Sequence, residues 1–153
     1  MPEKIELLKV KKVMKKKVVI IPISATLEEA AKILEKYMVS GAPVVRNKKM
    51  IGIISEKDLL KALYPDFGDI LADIGAWFKG EKGKKIESKK KTPIEAIMTH
   101  DVITVSPETT LIEAGSVMFA HSIHRLPVVN KKGELVGFVA RRDIFRKLLH
   151  MEI

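Results

Sequence analysis

The chain has 153 residues, 46% of them apolar, and its 28 Lys and Arg against 19 Asp and Glu give a net charge of +9. That length suits one medium domain or two small, tightly packed ones, and the absence of cysteine excludes disulfides, a thiol nucleophile and a thiolate metal site. No run reaches the roughly 18 apolar residues of a membrane span, and the start, Met1-Pro2-Glu3-Lys4, lacks the apolar core of a secretory signal, so a cytoplasmic setting without membrane contact is expected.

In chain order, Val18-Val19-Ile20-Ile21 is a β-branched run closed by Pro22 and reads as a strand. Thr26 caps a helix with Glu28 and Glu29 in its first turn. Leu27, Ala30, Ala31, Leu34 and Met38 keep helical spacing up to Gly41, read as the stop. Pro43-Val44-Val45 and Met50–Ile54 form a hairpin across Asn47-Lys48-Lys49. Ser55 caps a last helix, Glu56–Leu63.

Next comes a segment in which Phe67, Ile70, Leu71, Ile74, Trp77 and Phe78 share one helical face. A basic loop follows it. The stripe serves as a helix folded onto the rest of the chain or as a partner contact.

The first pattern then returns. Val102–Val105 reads as a strand, and Ser106-Pro107-Glu108 as a helix start with Ser at the cap and Pro at the first turn. Leu126–Val129 and Leu135–Val139 read as a hairpin, and Arg141–Leu149 as the final helix. Residues 14–63 lie on 98–148 at an offset of 84, which becomes 85 after one inserted residue, Gly133. A repeat of about 50 residues is one structural unit used twice. The expected organisation is repeat 1 over 10–63, a helical insert and basic loop over 64–91, and repeat 2 over 92–150. The fold class is α/β (α+β), with tandem β-α-β-β-α units related by a pseudo-twofold.

The chemistry concentrates where the last strand of each repeat meets its last helix. There the chain reads Gly52-Ile53-Ile54-Ser55-Glu56-Lys57-Asp58 and Gly137-Phe138-Val139-Ala140-Arg141-Arg142-Asp143. A glycine permits close backbone approach. A helix N-terminus hosts phosphate, and an Asp can accept from a ribose diol. The same residues also serve plain helix capping.

This order of marks resembles the CBS domain, named for cystathionine β-synthase: Ala42-Pro43-Val44-Val45 and Leu126-Pro127-Val128-Val129, a turn, then Gly-apolar-apolar-Ser/Thr-x-x-Asp. The match spans nearly the whole chain apart from the N-terminal nine residues and the Tyr64–Lys91 insert. The resemblance implies a tandem pair, or Bateman module, with clefts between the repeats that bind AMP, ADP, ATP or S-adenosylmethionine. Carried over by position, Ser55 and Asp58 match the hydroxyl and ribose-binding acid of the first site. Val19, Ser40, Gly41, Ala42 and Ile53 match positions around its base. In the second site Asp143 matches the acid, but Ala140 stands where the hydroxyl belongs; on charge, Arg141-Arg142 beside it suit a phosphate contact that offsets the loss. Ile103, Leu126 and Phe138 match its base pocket. His124-Arg125 matches a pair that meets nucleotide phosphates, and on local grounds it also suits a helix C-terminus.

The resemblance implies a regulatory module and not an enzyme, with no cofactor beyond the adenosine ligand. It also implies a homodimer through the last helix of each repeat and an unidentified protein target. No Ser-His-Asp, paired-carboxylate or metal constellation is visible. Such pairs also occur in inosine monophosphate dehydrogenase, whose cysteine nucleophile is absent here. Two readings stay beside this one: a basic nucleic-acid-binding protein, given Lys9, Lys11, Lys12 and Lys15–Lys17, and a structural dimerisation module with an empty cleft. Enrichment in Lys and Glu, with no Gln and only Asn47 and Asn130, is a thermophile composition.

Overall fold

The structure is a computed structural model that describes residues 4–64 and 86–149. The predicted helical stripe, Phe67 to Phe78, lies outside the described residues. The elements in order are β1 (Ile21–Pro22), α1 (Leu27–Lys36), β2 (Gly41–Arg46), β3 (Lys49–Ser55), α2 (Glu56–Leu63), α3 (Leu111–His121), β4 (Arg125–Val129), β5 (Leu135–Ala140) and α4 (Arg141–Leu148). Strands β1, β2 and β3 form one sheet in that order, and β4 and β5 another.

The chain divides into two compact units. Unit 1 holds 1–18, 47–50 and 101–153; unit 2 holds 19–46 and 51–100.

In unit 2, Ile21 and Pro22 pair in parallel with Val44 and Val45. The predicted strand over Val18–Ile21 is thus shorter than its β-branched run, because only its last residue finds a ladder partner. Thr26 caps α1 as expected, in a full capping box with Glu29. The helix ends sooner than Gly41: Met38 takes the left-handed conformation, and Gly41 opens β2 instead. At the hairpin both Asn47 and Lys48 have positive φ, the signature of a two-residue turn that matches strand twist. The core is Ile21, Leu27, Leu34, Val44, Ile54, Leu59, Ile94 and their neighbours.

In unit 1, β4 and β5 are antiparallel, with Arg125 opposite Ala140 and Leu126 opposite Val139. The inserted Gly133 sits at positive φ with open space around it. Asn130 Oδ1 accepts the N–H groups of Lys132 and Glu134 there. Val105 alone bridges Val128, so the second predicted strand also shrinks.

Helix α3 starts at Leu111, capped by Thr110, not at Ser106. Ser106 Oγ accepts the N–H of Glu108 in a tight turn. Tertiary contact overrides the local signal. The N–H of Lys11 donates to the Pro107 carbonyl, and that of Val10 donates to the Thr109 carbonyl.

That contact is half of a reciprocal arrangement. Leu111 N–H donates to Leu8 O, and Leu27 N–H donates to Thr92 O. Lys9 bridges Thr110, and Pro93 bridges Thr26. The segment leading into repeat 1 thus packs in unit 1, where Val10 is fully buried, and the segment leading into repeat 2 packs in unit 2, where Ile94 is fully buried.

Glycine at two equivalent positions makes this possible. A Cβ on Gly52 would lie 2.7 Å from Met98 Sδ and 2.8 Å from Thr99 O; one on Gly137 would lie 2.9 Å from Lys15 O and 3.0 Å from Met14 Sδ. The close approach anticipated at these glycines is therefore made by the chain itself.

Candidate functional site

In unit 2 the site residues converge on the N-terminus of α2. The N–H of Glu56 donates to Ser40 O at 2.8 Å, which ties the end of the α1 loop to the start of α2. Gly41 lies against the end of β3, where an added Cβ would come within 3.1 Å of Ile54 O. Ser55 and Asp58 close on each other. Asp58 Oδ2 accepts the Ser55 N–H at 3.0 Å and the Ser55 Oγ–H at 2.9 Å, while Ser55 Oγ accepts the Asp58 N–H at 3.2 Å. The Ser55 hydrogen is thus committed to Asp58, and Ser55 orients the carboxylate instead of standing as an independent donor. Asp58, Val19 and Ile53 are half-buried, Ser40 is exposed and Ala42 is in the core.

In unit 1 the equivalent residues gather at the N-terminus of α4. Arg141 N–H donates to His124 O at 2.8 Å, and Arg125 faces Ala140 across the hairpin. Asp143 accepts the Ala140 N–H at 3.1 Å. Alanine offers no oxygen in return, so the capping box is half made. Asp143 is only 5% exposed. His124, Arg125, Arg141 and Arg142 are exposed, and Ile103 and Phe138 are half-buried. The Leu126 side chain is fully buried among Val128, Val139 and Leu111, which leaves its backbone as the part a ligand could meet.

Beside each of these helix starts runs a groove that sequence reasoning did not find. Between α3 and α4 it has a volume of about 730 Å³, with Met118, Ile144 and Leu148 along it and His124, Arg141 and Arg142 at one end. Between α1 and α2 it has about 690 Å³, with Leu34, Leu59 and Leu63 along it and Ser40 and Glu56 at the corresponding end. Under the 84/85 offset these pairs coincide: Leu34 with Met118, Ser40 with His124, Glu56 with Arg141, Leu59 with Ile144. The signal was present in the excess apolar residues of α2 and α4.

Among the described residues no group of His, Asp and Glu could hold a metal ion, and no helix is long and apolar enough to cross a membrane.

The CBS domain family model matches residues 10–65 and 94–150. An uncharacterized protein of Methanocaldococcus jannaschii, MJ1426, is 31% identical, with 94% of this chain and 93% of that protein covered. The inosine-5'-monophosphate dehydrogenase of Korarchaeum cryptofilum is also 31% identical, but the alignment takes 82% of this chain and 21% of the enzyme, so the chain spans about a fifth of that relative. Among solved structures, the CBS domain pair of protein MJ0100, in complex with 5'-methylthioadenosine and S-adenosyl-L-methionine, superposes with a TM-score of 0.66 at 28% identity, covering 94% of this chain and 98% of that one. Two matched stretches, the duplicated helix starts and the likeness to a solved pair lead to one conclusion: the chain belongs to the CBS domain family, as a tandem pair of a mixed α/β fold.

Proposed function

We propose that this chain is a regulatory module that binds an adenosine nucleotide (AMP, ADP or ATP) or S-adenosylmethionine at the start of α2, and catalyses no reaction on it. Asp58 carries the proposal. Its carboxylate is half-buried at the first turn of α2, and both capping bonds fall on Oδ2. Oδ1 then serves the vicinal hydroxyls of a ribose, as acidic residues do in dinucleotide folds. Val19 and Ile53 supply apolar contact to the base, and the backbone of Ser40, Gly41 and Ala42 supplies its hydrogen bonds.

The second position ranks lower in this reading. Asp143 is buried and Ala140 brings no hydroxyl, so Ile103, Leu126 and Phe138 border a poorer ribose site. Its asset is charge: Arg125, Arg141 and His124 suit phosphate. The ligands of the solved relative support the adenosine class, because 5'-methylthioadenosine and S-adenosylmethionine share their adenosine and differ at the 5' sulfur. A homodimer and a protein target that reads ligand occupancy in the cytoplasm complete the reading.

Isothermal titration of AMP, ADP, ATP, S-adenosylmethionine and 5'-methylthioadenosine tests it. At least one should bind saturably, and the same ligand should raise the melting temperature. Flat titrations against all five, on protein shown to be folded by circular dichroism, would overturn it. Salt-dependent binding of duplex DNA or RNA in their place would favour the basic surface.

A further inference from the structure

The positive charge of the protein is concentrated in one of its two units. Among the described residues, unit 1 carries sixteen Lys and Arg against six Asp and Glu, a surplus of ten, whereas unit 2 carries eight against seven, a surplus of one. Charge that served solubility alone would be spread over both.

Seven of the sixteen are lysines between Lys4 and Lys17. The apolar residues Leu8, Val10 and Val13 of that stretch are buried in the core of unit 1, which leaves the lysines outside. Lys4, Lys9, Lys11 and Lys12 surround a cavity of about 210 Å³, and Lys15, Lys16 and Lys17 are exposed. The backbone is fixed as it passes. The N–H groups of Val10 and Lys11 donate to Thr109 O and Pro107 O, and Lys15 exchanges both backbone hydrogen bonds with Phe138 of β5. The charges therefore stand on an ordered strap, and little backbone freedom is left to lose when a partner binds.

The same strand gathers a second group. Leu135 N–H donates to Lys48 O, and Met50 N–H donates to Gly133 O, which laces the two hairpin turns together. Lys48, Lys49, Lys131 and Lys132 are exposed on those turns. They sit at the start of β5, about 10 Å along the strand from Phe138 and its partner Lys15. These lysines are far apart in the sequence, and only the fold joins them.

We infer that this face of unit 1 binds the phosphate backbone of duplex nucleic acid without reading its sequence. A duplex presents one negative charge per about 1.7 Å of axis, and the strap and turns answer it with fixed ammonium groups. No aromatic residue lies between Lys4 and Lys17, so the strap offers no platform for single-stranded bases. An anionic membrane is the lesser match, because only Ile5 and Leu7 of the strap are exposed apolar residues that could insert. Glu108 holds Lys9 and Lys11 in salt bridges and is an internal competitor for two of the charges.

The probe is a short fluorescent duplex DNA of mixed sequence, titrated by anisotropy without adenosine ligand as salt rises from roughly 50 to 200 mM, over which affinity should fall steeply. Lys15→Gln with Lys16→Gln and Lys17→Gln should reduce the slope of log affinity against log salt by about 2–3, since each lost phosphate contact removes about 0.9. Lys49→Gln with Lys132→Gln should reduce it by about 1–2. Lys36→Gln with Lys57→Gln and Lys61→Gln makes the same change in net charge as the first triple, on exposed residues of unit 2, and should leave the slope as it was. Glu108→Gln should strengthen binding by releasing Lys9 and Lys11. Circular dichroism checks that each variant is folded.

Equal losses in the two triples would reduce the effect to net charge and overturn the inference. The absence of salt-dependent duplex binding, unchanged or weaker binding by Glu108→Gln, or tighter binding to phosphatidylserine vesicles than to the duplex would overturn it as well. None of these readouts depends on whether Asp58 holds a ribose.

Discussion

Asp143 accepts the backbone N–H of Ala140 at 3.1 Å, whereas its counterpart Asp58 accepts both an N–H and a hydroxyl from Ser55. One methyl in place of one CH₂OH is the chemical difference. It leaves the first turn of α4 with a cap that accepts nothing.

Stability should follow that difference. Ala140→Ser supplies the missing acceptor for the Asp143 N–H and should stabilise the fold by about 0.5–1 kcal/mol, while Ser55→Ala should destabilise it by about 1 kcal/mol. Urea denaturation reads both as shifts of midpoint at constant slope.

Glycine substitutions should divide by sign. At Gly52 a Cβ meets a backbone oxygen and a sulfur within 2.8 Å, so Gly52→Ala should cost about 1–3 kcal/mol through overpacking. At Gly115, inside α3, the nearest atom is Ile144 Cγ2 at 3.9 Å. Gly115→Ala should therefore stabilise by about 0.5–1 kcal/mol through helix propensity and a less flexible unfolded chain. The same urea experiment measures both.

Acid sensitivity should trace partly to Glu108. Hydrogen bonds from Lys9 and Lys11 pull its carboxyl from the usual 4.5 down to about 2. The folded value lies below the unfolded one, so its contribution is present in full above pH 4.5 and is lost as pH falls through 2. The pair is exposed, with 57% of the Glu108 side chain in water, so the effect is small and shrinks with salt. Glu108→Gln should flatten the stability profile between pH 5 and 2 at low salt (about that window) and leave it unchanged at 1 M NaCl (roughly, where screening is nearly complete).

Helix α2 was legible in the sequence to the residue, because Ser55 caps it and Leu59, Leu60 and Leu63 keep its period. The β4–β5 hairpin was legible to within one residue at its outer ends, since two apolar runs flank Asn130 and Gly133. The start of α3 was not. Ser106-Pro107-Glu108 carries a strong helix-start signal, but Lys9, Lys11 and Val10 claim the carbonyls and carboxylate of that stretch from about a hundred residues away. Local reading cannot weigh such a contact. It was foreshadowed only by Val10 and Val13 standing 84 positions before Ile94 and Ile97. At the site, the residue types were readable as two separate ligand groups. That Ser55 spends its hydrogen on Asp58 depends on a side-chain geometry that spacing alone does not determine.

The most direct test of the account is the titration of whichever adenosine ligand binds the unmodified chain into Asp58→Ala and Asp143→Ala, each checked for folding. Losing a charged acceptor costs about 1.5–3 kcal/mol, so Asp58→Ala should weaken binding roughly tenfold to a hundredfold, and Asp143→Ala should change it much less. Binding abolished by Asp143→Ala and left intact by Asp58→Ala would contradict the account.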